Sequence, residues 1–280
     1  MNKKAWSYVW FCATILIAGN SSATATDLHY EIRGKGEPVV LIHGGLVDSR
    51  MWDAQVGEFE KHFQVIRYDL RGFGKSPGSA EPVSHIDDLR TLLQSLKIGK
   101  ANIIGLSLGG MIAIDFALEH PEMVNKLILA GSALRGFVYK PVDNRDPIYE
   151  AAREGDIDKA VDLWMNDSVF LTARAHPDVE KKMRDMLREN SEAWTASPKT
   201  IWPKQPTIER LSEIHLPTLI IVGDKDNENI VVIADVLKEK IARSHKQVMA
   251  NTGHHMNMEN PQQFNEIVLQ FLQGPSAMDR

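Results

Sequence analysis

Residues 101–111 read Ala101-Asn102-Ile103-Ile104-Gly105-Leu106-Ser107-Leu108-Gly109-Gly110-Met111. A short apolar run, the pattern of a strand buried on both faces, leads into Gly-Leu-Ser-Leu-Gly, and an apolar helix begins near Gly110-Met111. A strand turning this sharply into a helix needs room, and glycines two residues either side of Ser107 remove the Cβ atoms that would collide. The turn lifts the serine hydroxyl above a sheet and beside a helix N-terminus, which makes Ser107 the candidate nucleophile. Gly-x-Ser-x-Gly by itself is a weak signal; its strand-turn-helix setting makes it specific.

A serine hydroxyl is a poor nucleophile at neutral pH and needs a base, itself oriented by a carboxylate. Downstream, an apolar run over residues 217–222 ends in Gly223-Asp224-Lys225-Asp226, so two acids leave a strand end. Thr252-Gly253-His254-His255 then falls in a loop before a final helix. The chain order is Ser, Asp, His. Spacing alone leaves open which aspartate and which histidine take part.

Around these sites strands alternate with helices. Strands are expected over residues 28–32, 38–42, 63–68, 101–104, 126–130, 217–222 and, more weakly, 245–249. Ser84 and Asp87 form a capping-box-like start ahead of Leu89, Leu92, Leu93 and Leu96. Asn260-Pro261 supplies an N-cap and an N1 proline before Phe264, Ile267, Val268, Phe271 and Leu272. Ile230, Ile233, Ala234, Leu237 and Ile241 form a similar stripe. Such alternation implies an α/β fold, a mostly parallel sheet with helices on both faces.

Residues 136–206 break the rhythm. Asp156 caps a helix carrying Ile157, Ala160, Val161 and Trp164, a second helix carries Val179, Met183, Met186 and Leu187, and no strand run intervenes. The expected organisation is a signal peptide over 1–25, a core from 26–135 and 207–280, and a helical cap over 136–206. Trp164, Met165, Met183, Met186 and Trp194 are expected to form the cap core, with one or two, such as Trp164 or Met186, lining an acyl pocket.

Composition narrows the function. The 280 residues are 43% hydrophobic and 25% charged, with one cysteine, which excludes a disordered chain, a disulfide scaffold and a zinc-thiolate cluster. The formal charge of −5, with no Lys/Arg block, argues against nucleic acid as a partner. Lys3 and Lys4, the uncharged residues 5–18 and Ala23-Thr24-Ala25 have the three parts of an export signal. Its apolar stretch is shorter than the roughly 20 residues that span a bilayer. The expectation is a periplasmic or secreted protein with no stable membrane insertion after cleavage. Removal of Cys12 would leave no cysteine, which suits an oxidising compartment.

From residue 28 to 272 the chain resembles an α/β-hydrolase-fold enzyme with a helical cap. The resemblance is carried by His43-Gly44-Gly45, Arg50-Met51-Trp52-Asp53, Asp69-Leu70-Arg71-Gly72-Phe73-Gly74-Lys75-Ser76, the serine turn, residues 223–226 and Gly253-His254. In motifs it is most similar to the 3-oxoadipate enol-lactonase-like and carboxylesterase subgroup. That resemblance implies an acid three residues after the strand-ending glycine, Asp226, and a base directly after a glycine, His254. Asp224 and His255 are then expected to be solvated loop residues. It also implies that the Gly45 and Leu108 amides hold an oxyanion, while His43 and residues 69–76 stabilise turns. The implied activity is hydrolysis of a small ester or lactone through an acyl-enzyme, with no cofactor and no metal. Carbon–carbon bond hydrolysis of a diketone uses the same triad, and some hydrolase-like proteins of this fold act as small-molecule sensors.

Overall fold

The computed structural model describes residues 27–141, 143–195 and 199–274, so the expected export signal over 1–25 lies outside the described residues. Seven strands make one sheet: β1 (Tyr30–Arg33), β2 (Pro38–Ile42), β3 (Gln64–Tyr68), β4 (Ala101–Leu106), β5 (Val124–Ala130), β6 (Thr218–Gly223) and β7 (Ser244–Met249). The order is β1-β3-β2-β4-β5-β6-β7. Only β1 runs antiparallel, against β3, and every other pairing is parallel. All seven expected strands are present, with ends displaced by a few residues; Leu28 packs into the core just ahead of β1.

Alternate residues of a strand serve opposite faces, and the two cores follow that period. Val40 and Ile42 join the apolar faces of α2 (His85–Ser95), α3 (Leu108–Glu119) and α9 (Glu228–Lys240). Val39 and Leu41 join α1 (Asp53–Phe59) and α11 (Pro261–Gln273) on the other face. Each fully buried Val, Leu or Ile contributes about 1.5–3 kcal/mol. The helix starts are those legible in the sequence. Ser84 accepts the Asp87 amide, Asp156 the Lys159 amide and Asn260 the Gln263 amide, each worth about 1 kcal/mol.

Between β5 and β6 lie α4 (Asp146–Arg153), α5 (Ile157–Trp164), α6 (Pro177–Glu189), α7 (Ser191–Thr195) and the short α8 (Thr207–Arg210). Asp115, buried on α3, pins the stems of this insertion together. It binds Arg135 at 2.6 Å and also accepts from the Thr207 hydroxyl. Arg135 further donates to the carbonyls of Pro203 and Gln205. The remaining short helix, α10 (Met256–Glu259), precedes α11.

Candidate active site

Ser107 occupies the turn between β4 and α3 with φ 55° and ψ −113°, a region a serine seldom adopts. The surrounding chain over-determines that geometry. The Ser107 amide donates to the Ala130 carbonyl at 3.0 Å, and the Ser107 carbonyl accepts from Met111 at 3.0 Å and Ala133 at 3.1 Å. A Cβ at Gly105 would run into the Gly109 carbonyl, and one at Gly109 into the carbonyls of Ile42 and His43. Both glycines are therefore required by close approach of backbone to backbone.

His254 follows β7, in the loop before α10, and its Nδ1 donates to Asp226, 2.9 Å from Oδ1 and 3.1 Å from Oδ2. The two side chains are 4% and 0% exposed, so little water competes for the contact. Burial disfavours the His254 cation, but the charge and hydrogen bond of Asp226 outweigh it and hold the pKa above the ordinary 6.5. Gly131, at the end of β5 with φ 49°, backs this pair. A Cβ there would lie 3.2 Å from both Asp226 Oδ2 and His254 Nδ1.

Ser107, Leu108, Gly45 and His254 line one cavity of about 520 Å³. Leu108 is the first residue of α3, so its amide has no acceptor within the helix. The Gly45 turn is fixed by His43, whose Nδ1 donates to the Gly44 carbonyl at 2.7 Å while Nε2 accepts the Leu70 amide at 2.8 Å. This is the turn-holding role expected of His43. Residues 69–76 likewise form a closed turn, in which Asp69 accepts the Ser49 and Lys75 amides, each at 2.9 Å, and the Ser76 hydroxyl at 2.6 Å.

The insertion supplies part of the cavity wall through Tyr139, Arg145, Tyr149, Trp164, Val169 and Phe170. Trp164 lines it as expected. Met186 does not: its side chain is fully buried inside the insertion. Asp224 is exposed, in keeping with its expected role, but His255 is not a solvated loop residue. It is 3% exposed, stacks on Phe170 with ring centres 4.9 Å apart, and also lines the cavity.

Three further groups shape the site without having been singled out in the sequence. Glu259 is buried and accepts the Gly253 amide at 2.7 Å. Its spacing from His255, one turn on, was the available signal. Asp167 holds Arg145 at 2.6 Å and 3.0 Å, and Arg145 lies over the Trp164 ring at 5.2 Å. Asn227 donates its amide to Asp226 at 2.7 Å and its side chain to the Ser168 hydroxyl at 2.6 Å, linking the acid to the insertion. Among the described residues no cluster of His, Cys, Asp and Glu is arranged to hold a metal. No helix there is long and apolar enough to cross a membrane.

Comparison with known proteins agrees with this architecture. A curated 2-hydroxy-6-oxononadienedioate/2-hydroxy-6-oxononatrienedioate hydrolase from Burkholderia vietnamiensis is 31% identical over 272 residues, which cover 89% of this chain and 92% of the relative. The solved enol-lactonase from Burkholderia xenovorans aligns with a TM-score of 0.74 at 26% identity, covering 88% of this chain and 96% of that one. A thermophilic esterase from Thermogutta terrifontis gives a TM-score of 0.73 at 28% identity, covering 88% and 93%. Residues 37–261 match the alpha/beta hydrolase fold family, and the chain belongs to that family, related to its enol-lactonase-like enzymes.

Proposed function

We propose that this α/β-fold hydrolase cleaves a small, uncharged carboxylic ester or lactone with Ser107 as nucleophile. The observation that carries the reading is the shared cavity: Ser107, on its strained turn, and His254, paired with Asp226, line the same space. Ser107 Oγ attacks the carbonyl carbon as His254 takes its proton, and the Asp226 carboxylate stabilises the imidazolium. The Gly45 and Leu108 amides receive the oxyanion, each such donor being worth about 3 kcal/mol in the transition state. The carbon–oxygen bond then breaks, and His254 returns the proton to the leaving alcohol. Water repeats the sequence on the acyl-enzyme, releasing the acid and restoring Ser107. In this reading the helices over 136–206 roof the acyl pocket, and residues 1–25 export the chain.

Charge pairing in the cavity supports an uncharged substrate. Lys140 is matched by Glu228 at 2.7 Å and Arg145 by Asp167 at 2.6 Å. The Burkholderia vietnamiensis relative is named for dicarboxylates cleaved at a carbon–carbon bond, and that identity keeps diketone hydrolysis as the rival. A panel of p-nitrophenyl esters, lactones and diketones, run beside fluorophosphonate labelling, separates these readings from a sensor. Ser107→Ala should abolish labelling and lower ester turnover on the order of 10⁴-fold or more while the fold is kept. A folded variant with near-normal turnover would sink the mechanism.

A further inference from the structure

Between α5 and α6 the insertion makes a turn over residues 167–172, and hydrogen bonds join this turn to both loops of the proposed triad. Asp167 sets its shape: the carbonyl accepts the Phe170 amide at 2.9 Å, and the buried carboxylate accepts the Val169 amide at 3.1 Å. Val169 and Phe170 line the cavity, and the hydroxyls on either side of them, Ser168 and Thr172, meet different loops. Ser168 Oγ accepts the Asn227 side-chain amide at 2.6 Å and donates to Asp143 at 2.5 Å. The backbone amide of the same Asn227 donates to Asp226 Oδ1 at 2.7 Å, the oxygen that also receives His254 Nδ1 at 2.9 Å. Thr172 Oγ1 donates to Glu259 Oε1 at 2.9 Å, and Glu259 in turn accepts the Gly253 and His255 amides. Thr172 also lies directly against the backbone there. A Cβ at Gly253 would come within 1.9 Å of Thr172 Oγ1 and 2.8 Å of its Cβ and Cγ2. The glycine ahead of His254 has no positive φ, so the close approach of the insertion is what requires it.

We propose that Ser168 and Thr172 are positioning residues for the reaction, their hydroxyls tying the acid loop and the base loop to one turn of the insertion so that Asp226 stays on His254. The inference rests on the proposed Ser107 hydrolysis and goes beyond it: the insertion then takes part in aligning the triad as well as covering the pocket. A reactive constellation keeps its geometry only when neighbouring hydrogen bonds lock the groups that form it. The two loops follow different strands, β6 and β7, and loss of either tie lets one partner of the pair shift against the other.

The test measures kcat and KM for a p-nitrophenyl ester in the full enzyme and in Ser168→Ala and Thr172→Val, which remove one hydroxyl each. Active sites are counted by fluorophosphonate labelling taken to completion, so that unfolded protein does not enter kcat. The expected result is a kcat lowered roughly 10- to 100-fold per labelled site in each variant, with KM changed much less. Ser168→Thr and Thr172→Ser, which keep the hydroxyls, should recover most of the loss. An unchanged kcat per site in either variant, beside an active unmodified enzyme, would overturn the double tie while leaving ester hydrolysis intact. A raised KM at constant kcat would reduce the turn to a binding wall and overturn it equally. A loss that the hydroxyl-keeping variants share would overturn the assignment to these two groups. No ester turnover and no label on Ser107 in the unmodified protein would remove the hydrolytic reading and the positioning role with it.

Discussion

Glu259 and Gly253 are joined by a buried hydrogen bond of 2.7 Å, from the Gly253 amide to Glu259 Oε2, and this bond holds the backbone that carries His254. The other carboxylate oxygen accepts the His255 amide at 3.2 Å and the Thr172 hydroxyl at 2.9 Å. One side chain therefore fixes the residues on both sides of His254 and ties them to the insertion. Glu259→Gln replaces one of these acceptors with an amide that can only donate, setting N–H against N–H. The expected loss is about 1–3 kcal/mol in a urea titration, with kcat falling more than KM rises because the proposed base is displaced. An unchanged kcat in a destabilised variant would show that the bond serves stability alone.

The two aspartates after β6 make a paired prediction. Asp226 touches His254 and Asp224 is exposed. Asp226→Asn should cost about 10⁴ in kcat by presenting the wrong hydrogen-bonding partner to Nδ1, while Asp224→Asn should cost far less. The reverse ranking in steady-state assays would show the wrong carboxylate to have been assigned.

With neutral His254 as the proposed base, its titration should set the acid limb of kcat/KM. Its pKa is held above 6.5 by Asp226, so activity should decline with falling pH through a midpoint above that value. In Asp226→Asn the residual activity should have its midpoint moved downward. A pH profile of both enzymes checks the direction; an upward shift would contradict the role given to Asp226.

Stability should respond to pH through different histidines. A group with a raised pKa, such as His254, adds stability below 6.5 and loses it as pH climbs through the folded value. His85 behaves in the opposite way. Burial lowers it from 6.5 to about 4, so its contribution is present above 6.5 and drains away as pH falls toward 4. The full effect is about 3 kcal/mol. Urea midpoints measured from pH 7 to pH 4 should fall less steeply for His85→Phe than for the unmodified protein. Parallel curves would exclude His85 as a source of the acid sensitivity.

Much of this was legible in one dimension. The strands are short apolar runs because parallel strands are buried on both faces, and β2 was bounded to the residue. The serine turn could be read because its glycines answer a local steric demand. His255 reads as a solvated loop residue for the complementary reason: it stacks on Phe170, from a distant part of the chain, and no local pattern reports that contact. Glu259, Asp167 and Asp115 likewise meet partners from other elements of the chain. A charged residue reads as solvated until the fold brings up its partners, which for Asp115 are Arg135 and Thr207.

The insertion makes the last prediction. Tyr149 and Met186 both belong to its helices, but Tyr149 lines the cavity and is 37% exposed, whereas Met186 is sealed in the interior. Shortening each should therefore produce different losses. Tyr149→Ala enlarges the pocket at its wall and should shift preference among acyl chain lengths, within the roughly 10–200-fold range that a change of apolar volume allows. Met186→Ala leaves a cavity among packed side chains and should cost about 2–5 kcal/mol of stability, with the chain-length profile retained. Fluorophosphonate labelling of Ser107 should persist in both, since the serine turn and the two amides belong to the sheet and its loops. If Tyr149→Ala left the profile untouched while Met186→Ala altered it, the helices over 136–206 would not form the roof of the acyl pocket.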